Sequence, residues 1–348
     1  MLRRKLWQKI ASGIITFTLA MSLIAPQSAS AYYNNDRTSS IKGLAEKYNE
    51  EILRSEAELE VNPVREGVDT TTEKEQNIIV EFKSSPLIMQ QALNNGAKSK
   101  KATKEVENEH KTFEKFLESK SKEKSSTYSI KYSYYNTYNG VAMTIKGTDI
   151  ESLLESGVVK AIWKDETVKV DPVSVEQGTY SINDANSRMV TSTPLIGVDK
   201  LRNEGITGEG IKVGVIDTGI DYNHPDLKDN YKGGHDYIDN DDDPMETTYE
   251  DWKDSGADEY IGTTSYYTYH GTHVAGTIGA TGKNTESEFA VTGLAPDVDL
   301  YAYRVLGSYG SGDTSGILAA IEQSVKDGMD VINLSLGITT TDTLYQDQ

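Results

Sequence analysis

The sequence predicts two α/β units in tandem, and three observations lead there. Between residues 76 and 172 the chain reads strand, helix, strand, strand, helix, strand, the split βαβ pattern of a ferredoxin-like domain. From residue 191 onward, near-continuous apolar strands alternate with helices, the texture of a parallel sheet with helices on both faces. Residues 173 to 190 lose all periodicity and read as a linker. With 348 residues the chain is long enough for each unit to bury a core of its own.

Residues 1–31 stand apart from both units. Arg3, Arg4, Lys5 and Lys9 precede an apolar run from Ile10 to Ile24, and Ala29-Ser30-Ala31 supplies small residues for cleavage, so the segment reads as a secretory signal peptide. A membrane anchor is the other reading, but the run is short for a bilayer and breaks at Pro26. Removing it takes four positive charges from a chain of formal net charge −19, leaving −23. Such a chain is not drawn to nucleic acid or anionic lipid. The absence of cysteine excludes disulfides, thiol nucleophiles and thiolate metal sites in an exported protein, and makes bound cations a plausible substitute for crosslinks. Residues 32–75 are polar and acidic, with one possible helix from Ile41 to Glu58, and read as a solvated extension.

In the first unit "NIIVEF" from Asn77 is a short strand, and the Lys/Glu-rich run 98–121 places Val106, His110, Phe113 and Leu117 on one helical stripe. His110 on that stripe reads as a packed core residue rather than a ligand. Tyr128, Ile130, Tyr132 and Tyr134 alternate, Asn139-Gly140 signals a tight turn, and Val141, Met143 and Ile145 alternate on the way back, predicting a hairpin. "TDIESLLESG" predicts a helix capped by Thr148 or Asp149 and stopped at Gly157, followed by the strand "VVKAIW". The second unit begins near Pro194, with strand "IKVGVI", helix "GTHVAGTIGA", strand "VDLYAYRVL", helix "TSGILAAIEQSVKDG" and strand "DVINLSL".

Asp217 of "IKVGVIDTGID" falls at the carboxyl end of its strand, where open parallel sheets place catalytic groups. A carboxylate after D-T-G could share a proton with a second aspartate and activate water, or could orient a histidine. The first option needs an equivalent aspartate, and the nearest match, Asp254-Ser255-Gly256, lies in a polar stretch with no strand before it. The second finds its partner in "YHGTHVAGTIGA": His270 opens a helix whose Gly271, Ala275, Gly276 and Gly279 allow close packing on a sheet. A general-base imidazole needs one nitrogen pinned by an acceptor, which a buried Asp217 would supply. A zinc site is also conceivable because His270 and His273 are three apart, but zincins space their histidines four apart around a glutamate, and no third ligand is indicated.

Together "VIDTGIDYNHPDL" and "HGTHVAGTIGA" closely resemble the subtilisin-like serine proteases, whose triad runs Asp, His, Ser along the chain. The resemblance covers about residues 195–337, and the preceding βαββαβ unit is similar to the inhibitory propeptide of that family. It implies that Asp217 orients His270, that His224 and His273 have packing and turn roles, and that the unit before them docks on the catalytic domain and blocks it until cleaved between about residues 170 and 190. It implies polypeptide substrates, held through main-chain hydrogen bonds by Gly310, Ser311 and Gly312 on one side and Ser335, Leu336 and Gly337 on the other. The family's G-T-S-M-A-like nucleophile turn and oxyanion asparagine would follow Gln348; Thr263-Thr264-Ser265 and Thr314-Ser315-Gly316 lie in the wrong context. The chain as it stands is therefore expected to be inactive, and residues 190–348 alone to be poorly soluble.

Calcium is the one cofactor implied. Asp236, Asp241 and Asp243 lie in the acidic loop "DYIDNDDDPME", and Asp226 of "HPDL" matches a second family ligand, although "TGKNTESEFAVTG" departs from the compact family loop beside it. The rival reading from another class is a non-enzymatic remnant whose first unit binds, inhibits or helps to fold a related protease.

Overall fold

Alternation in the strands and an apolar stripe on one long helix build the first unit. A computed structural model of the chain describes residues 62–93, 98–123, 128–170, 193, 195–284 and 291–337. The proposed signal peptide, the polar extension up to residue 61 and the linker lie outside the described residues. Contacts divide the chain into two compact units, Met1–Asp165 and Glu166–Gln348.

In the first unit, β1 (Glu75–Phe82) is followed by a short α1 (Leu87–Leu93) and by α2 (Lys100–Glu123), then β2 (Tyr128–Tyr134), β3 (Gly140–Lys146), a 3-10 segment (Gly147–Ser156) and β4 (Val159–Lys164). The sheet order is β2-β3-β1-β4 with every neighbour antiparallel, so β3 splits the parallel pair β1 and β2 as the sequence pattern requires. Ile78, Val80 and Phe82 of β1 meet Phe113 and Leu117 of α2 in one core with Met143, Ile150, Leu153 and Ile162, and Val106 is buried on the same helix. His110 is buried on the same stripe, its Nε2 3.1 Å from the Tyr134 carbonyl and 3.2 Å from Asn139 Oδ1, with its ring stacked 3.9 Å from that of Tyr135.

Two local expectations are corrected. Asn139-Gly140 is not a two-residue turn, because five residues, 135–139, separate β2 from β3 and neither residue takes the positive φ such a turn needs. Asn139 is instead buried and donates to the Ser84 carbonyl at 2.8 Å and to Glu109 at 2.7 Å, while Gly140 is glycine because a Cβ would fall 1.9 Å from the Val80 carbonyl oxygen. The segment after it is a 3-10 helix without a side-chain cap, though it does end at a left-handed Gly157 whose N–H donates to Leu154. α1 carries no strong signal in the sequence and was not expected.

The second unit holds β5 (Thr167–Lys169), α3 (Val198–Asn203), β6 (Lys212–Asp217), β7 (Tyr231–Asp236), α4 (Tyr249–Ser255), the small hairpin β8 (Tyr260–Ile261) and β9 (Thr264–Ser265), α5 (His270–Gly279), β10 (Asp299–Arg304), β11 (Ser311–Asp313), α6 (Thr314–Lys326) and β12 (Val331–Leu334). The main sheet runs β12-β6-β10-β7, all parallel. Val213 and Val215 of β6 pack with Leu300, Ala302 and Ala275 of α5 on one face. Tyr303 points the other way, toward α6, where its hydroxyl donates to Asp327 at 2.8 Å. Helices thus cover both faces, and β7, whose "YKGGHD" shows no apolar run, joins as an edge strand because Gly234 lets it approach Ala302 closely.

Phe113 is completely buried between α2 and its sheet. Phe113→Ala is expected to lower the unit's unfolding free energy by about 3–5 kcal/mol, whereas Lys111→Ala on the exposed face changes it by under about 0.5 kcal/mol. Urea unfolding of the two variants checks this, and equal midpoints would contradict the packing described.

Candidate active site

Strand parity brings the carboxylate to the helix. Side chains alternate along β6, so Asp217 projects from the face that carries Val213 and Val215, which is the face α5 covers. α5 begins at His270. Gly271 makes the approach possible, since a Cβ there would fall 2.1 Å from the Gly219 carbonyl oxygen and 3.1 Å from the Asp217 Cβ. Gly279 similarly clears Val298 and Leu300, but Gly276 faces open space, so its small size is not what packs the helix.

The two side chains meet: His270 Nδ1 lies 2.7 Å from Asp217 Oδ1. Asp217 is wholly buried, and the same oxygen accepts the Thr218 N–H at 2.7 Å. The His270 side chain keeps 18% of its surface exposed, so the ring reaches from a dry anchor toward solvent. A buried carboxylate bonded to Nδ1 fixes the tautomer that directs Nε2 outward and stabilises the ring when it takes up a proton. In chemical terms the pair can serve as a general base and then as a general acid.

A carboxylate that the motif reading missed holds this pair's surroundings together. Glu246 is 6% exposed and accepts the Thr272 N–H at 2.8 Å and its hydroxyl at 3.0 Å through Oε1, and the Thr268 hydroxyl at 2.6 Å through Oε2. The Thr272 hydroxyl in turn accepts the Asp221 N–H at 2.8 Å, and the Thr218 hydroxyl accepts the Gly271 N–H at 2.8 Å. Burial pushes the Glu246 carboxyl above its ordinary range, and the hydrogen bonds it accepts from Thr268 and Thr272 only partly oppose this. The sequence signal was faint: one glutamate in an acidic loop, 24 residues ahead of the histidine.

An extended segment occupies the expected peptide-binding strands. β5 pairs antiparallel with β11, with Lys169 opposite Ser311, Val168 opposite Gly312 and Thr167 opposite Asp313. On its other side Lys169 exchanges two backbone hydrogen bonds of 3.4 Å with Gly337, and the Val170 N–H donates to the Gly310 carbonyl at 3.0 Å. Gly310 has φ +61° and sits so close to Val170 that a Cβ would lie 2.6 Å from that side chain. Gly310, Ser311, Gly312 and Gly337 therefore share one extended strand of this chain; Ser335 is bonded to Asn333 at 2.9 Å, and no contact of Leu336 with that strand is described. The sequence reading places Thr167–Lys169 at the end of the first unit, whereas its contacts belong to the second.

The remaining candidates lie elsewhere. Ser265 donates to the Tyr267 carbonyl at 2.6 Å, and Ser315 is buried inside α6. His224 forms a turn, with Asp226 N–H donating to its Nδ1 at 3.2 Å. His273 begins no metal cluster, and among the described residues no three His, Cys, Asp or Glu side chains come together as a metal cage. In the acidic loop Asp236 pairs with Arg304, which also binds Asp239 at 2.7 Å and the Thr247 hydroxyl at 2.7 Å. Burial works against the Arg304 charge, yet Asp236 and Asp239 outweigh it and hold its pKa above the ordinary value. Asp241 accepts the Asp243 N–H at 2.9 Å, and Asp243 accepts the Tyr222 hydroxyl at 2.7 Å. Asp226 is buried, accepts Asn284 N–H at 2.9 Å and Thr281 hydroxyl at 3.3 Å, and has no Lys or Arg partner among the described residues.

Two outcomes follow from this geometry. Gly271→Ala forces a Cβ against the Gly219 carbonyl and is expected to lower stability by about 1–3 kcal/mol while separating His270 from Asp217, which a thermal melt and a crystal structure of the variant would show. Glu246 has a folded pKa above its unfolded one, so its stabilising share is full below the ordinary carboxylate range and is lost as pH rises through the folded value. Glu246→Gln is expected to flatten that part of the stability profile in chemical denaturation against pH; an unchanged profile would contradict the burial effect.

Residues 208–347 match the Subtilase family and residues 78–171 the Peptidase inhibitor I9 family. Minor extracellular protease Vpr of Bacillus subtilis (strain 168) is 38% identical over 288 residues, covering 82% of this chain and 32% of that protein. Subtilisin E of the same organism is 42% identical over 144 residues, covering 41% of this chain and 31% of its own. A crystal structure of fervidolysin from Fervidobacterium pennivorans aligns over 78% of this chain and 36% of its own at 19% identity, with a TM-score of 0.44. The chain spans about a third of the length of Vpr and of Subtilisin E. By these matches residues 208–347 carry a subtilase-family domain and residues 78–171 a peptidase inhibitor I9 domain.

Proposed function

We propose that this chain is the amino-terminal part of a secreted subtilisin-like serine endopeptidase made as a pre-pro-protein. The Asp217–His270 hydrogen bond of 2.7 Å carries the proposal, because a buried carboxylate on Nδ1 of a half-open imidazole is the arrangement a serine peptidase needs in its base. In this reading Asp217 orients His270, and Nε2 takes the proton of a serine hydroxyl supplied by sequence that follows residue 348 in the whole protein. The alkoxide attacks the scissile carbonyl, His270 returns the proton to the leaving amine, and water hydrolyses the acyl-enzyme.

The substrate is an extended polypeptide bound through its main chain between Gly310–Gly312 and Gly337, the place residues 167–170 hold here. The same occupancy supports inhibition by the chain's own I9 segment before processing. Export rests on the charged, apolar and small-residue order of residues 1–31 and on the name of the extracellular relative Vpr. No described helix is long and apolar enough to cross a membrane. Calcium is placed at Asp226, a buried carboxylate with no Lys or Arg partner among the described residues, where a bound cation would supply positive charge.

The whole protein is expected to hydrolyse denatured polypeptide, and Asp217→Asn to lower kcat by roughly 10⁴, the scale known for the same change in another serine protease. Steady-state hydrolysis of an unfolded protein checks this; full activity in Asp217→Asn would end the proposal. At 100 times its Kd, calcium is expected to add about 2.7 kcal/mol of stability to the wild type and none to Asp226→Asn, as read by thermal unfolding with and without chelator.

A further inference from the structure

Asp217 and His270 lie on different elements, a strand end and a helix start, and something has to hold those elements in register. The first N–H groups of a helix lack intrahelical partners, and their anchors decide where the helix begins and how it is turned about its axis. In α5 the Gly271 N–H is taken by the Thr218 hydroxyl and the Thr272 N–H by the Glu246 carboxylate. Thr218 directly follows Asp217, so the hydroxyl that holds the Gly271 N–H is fixed to the strand end that carries the carboxylate. Thr272 lies two residues beyond His270 and binds Glu246 twice, by backbone and by hydroxyl. The Glu246 carboxylate thus holds the helix beside His270, while the backbone of Met245 and Glu246 packs on Gly219, two residues after Asp217.

We propose that Glu246 is the positioning residue of the Asp217–His270 pair, setting the start and rotation of α5 so that Nδ1 meets the carboxylate. The backbone around it is built for that task. The Ile220 N–H donates to the Pro244 carbonyl at 2.9 Å, and Gly219, with φ +117°, packs so tightly on Met245 that a Cβ would lie 2.7 Å from its carbonyl oxygen. Thr268 closes the arrangement, donating its hydroxyl to Glu246 and accepting the Thr247 N–H at 3.0 Å, while its own N–H returns to the Thr247 carbonyl at 2.8 Å. A negative charge at a helix amino terminus is favourable in itself, which offsets part of the burial that raises the Glu246 pKa. Gln at this position keeps one oxygen for Thr272 and can donate its amide to Thr268, so it preserves the geometry without the charge.

The inference rests on the reading of Asp217 and His270 as a working pair, and its test needs no peptidase activity. The chain has five histidines, so ¹⁵N-histidine labelling of the 348-residue chain isolates the His270 Nδ1–H in NMR spectra. Wild type is expected to show that proton downfield and protected from exchange; its absence would remove the pair itself, and the proposal with it. Glu246→Ala is expected to abolish the protected signal or speed its exchange about tenfold or more, and Glu246→Gln to restore it. An unchanged His270 signal in Glu246→Ala, with only the melting temperature lowered, would reduce Glu246 to a structural residue and overturn the proposal. A signal lost equally in Glu246→Gln would overturn positioning in favour of charge. If Glu246→Ala does not fold, Thr268→Val carries the same comparison, since it removes the donor to Oε2 and leaves the carboxylate in place.

Discussion

The contact between a wholly buried Asp217 and His270 constrains the rest of the second unit. A carboxylate without exposed surface has to be compensated by hydrogen bonds, and Asp217 receives them from the Thr218 N–H and the imidazole. For the imidazole to arrive, α5 has to lie almost in contact with the end of β6, which is why Gly271 and Gly219 face each other backbone to backbone. The parallel sheet supplies the strand end, and the parity of β6 supplies the face. The chemistry proposed for the pair depends on these packing facts before it depends on any pKa.

The acidic loop between β7 and α5 serves the same architecture. Three of its carboxylates serve two tasks, with Asp236 and Asp239 compensating Arg304 and Glu246 compensating the open end of α5. Breaking the buried Asp236–Arg304 pair from one side would leave an uncompensated charge, a loss of about 3–5 kcal/mol in comparable cases. In a chain with no cysteine, such pairs tie distant segments together, and Arg304 links the end of β10 to two points of this loop.

Much of this was legible in the residues, and the failures have identifiable causes. The apolar stripe Val106, Phe113 and Leu117, the alternation in β2 and β3, and the strand-then-D-T-G pattern each express a period or a terminus, which local sequence carries directly. Asp217 and His270 could be paired in advance because a known family places them in that order. Glu246 could not, because its meaning lies in where the segment Pro244–Glu246 packs against Gly219 and Ile220. Asn139-Gly140 misled for the same reason: both residues are used by long-range contacts, to Ser84, Glu109 and Val80, rather than by a turn. β7 lacks an apolar run because an edge strand with Gly233 and Gly234 is recruited by its neighbour, and Asp236 was claimed by an arginine 68 residues away.

The central claim is that Asp217 and His270 activate a serine nucleophile. It is tested most directly by exposing the whole protein to a serine-directed phosphonylating probe and following covalent labelling in wild type and in His270→Ala. The account predicts one labelled serine in the wild type and labelling slowed by orders of magnitude in the variant. Labelling at the same rate in both, or none in a folded and processed wild type, would contradict it.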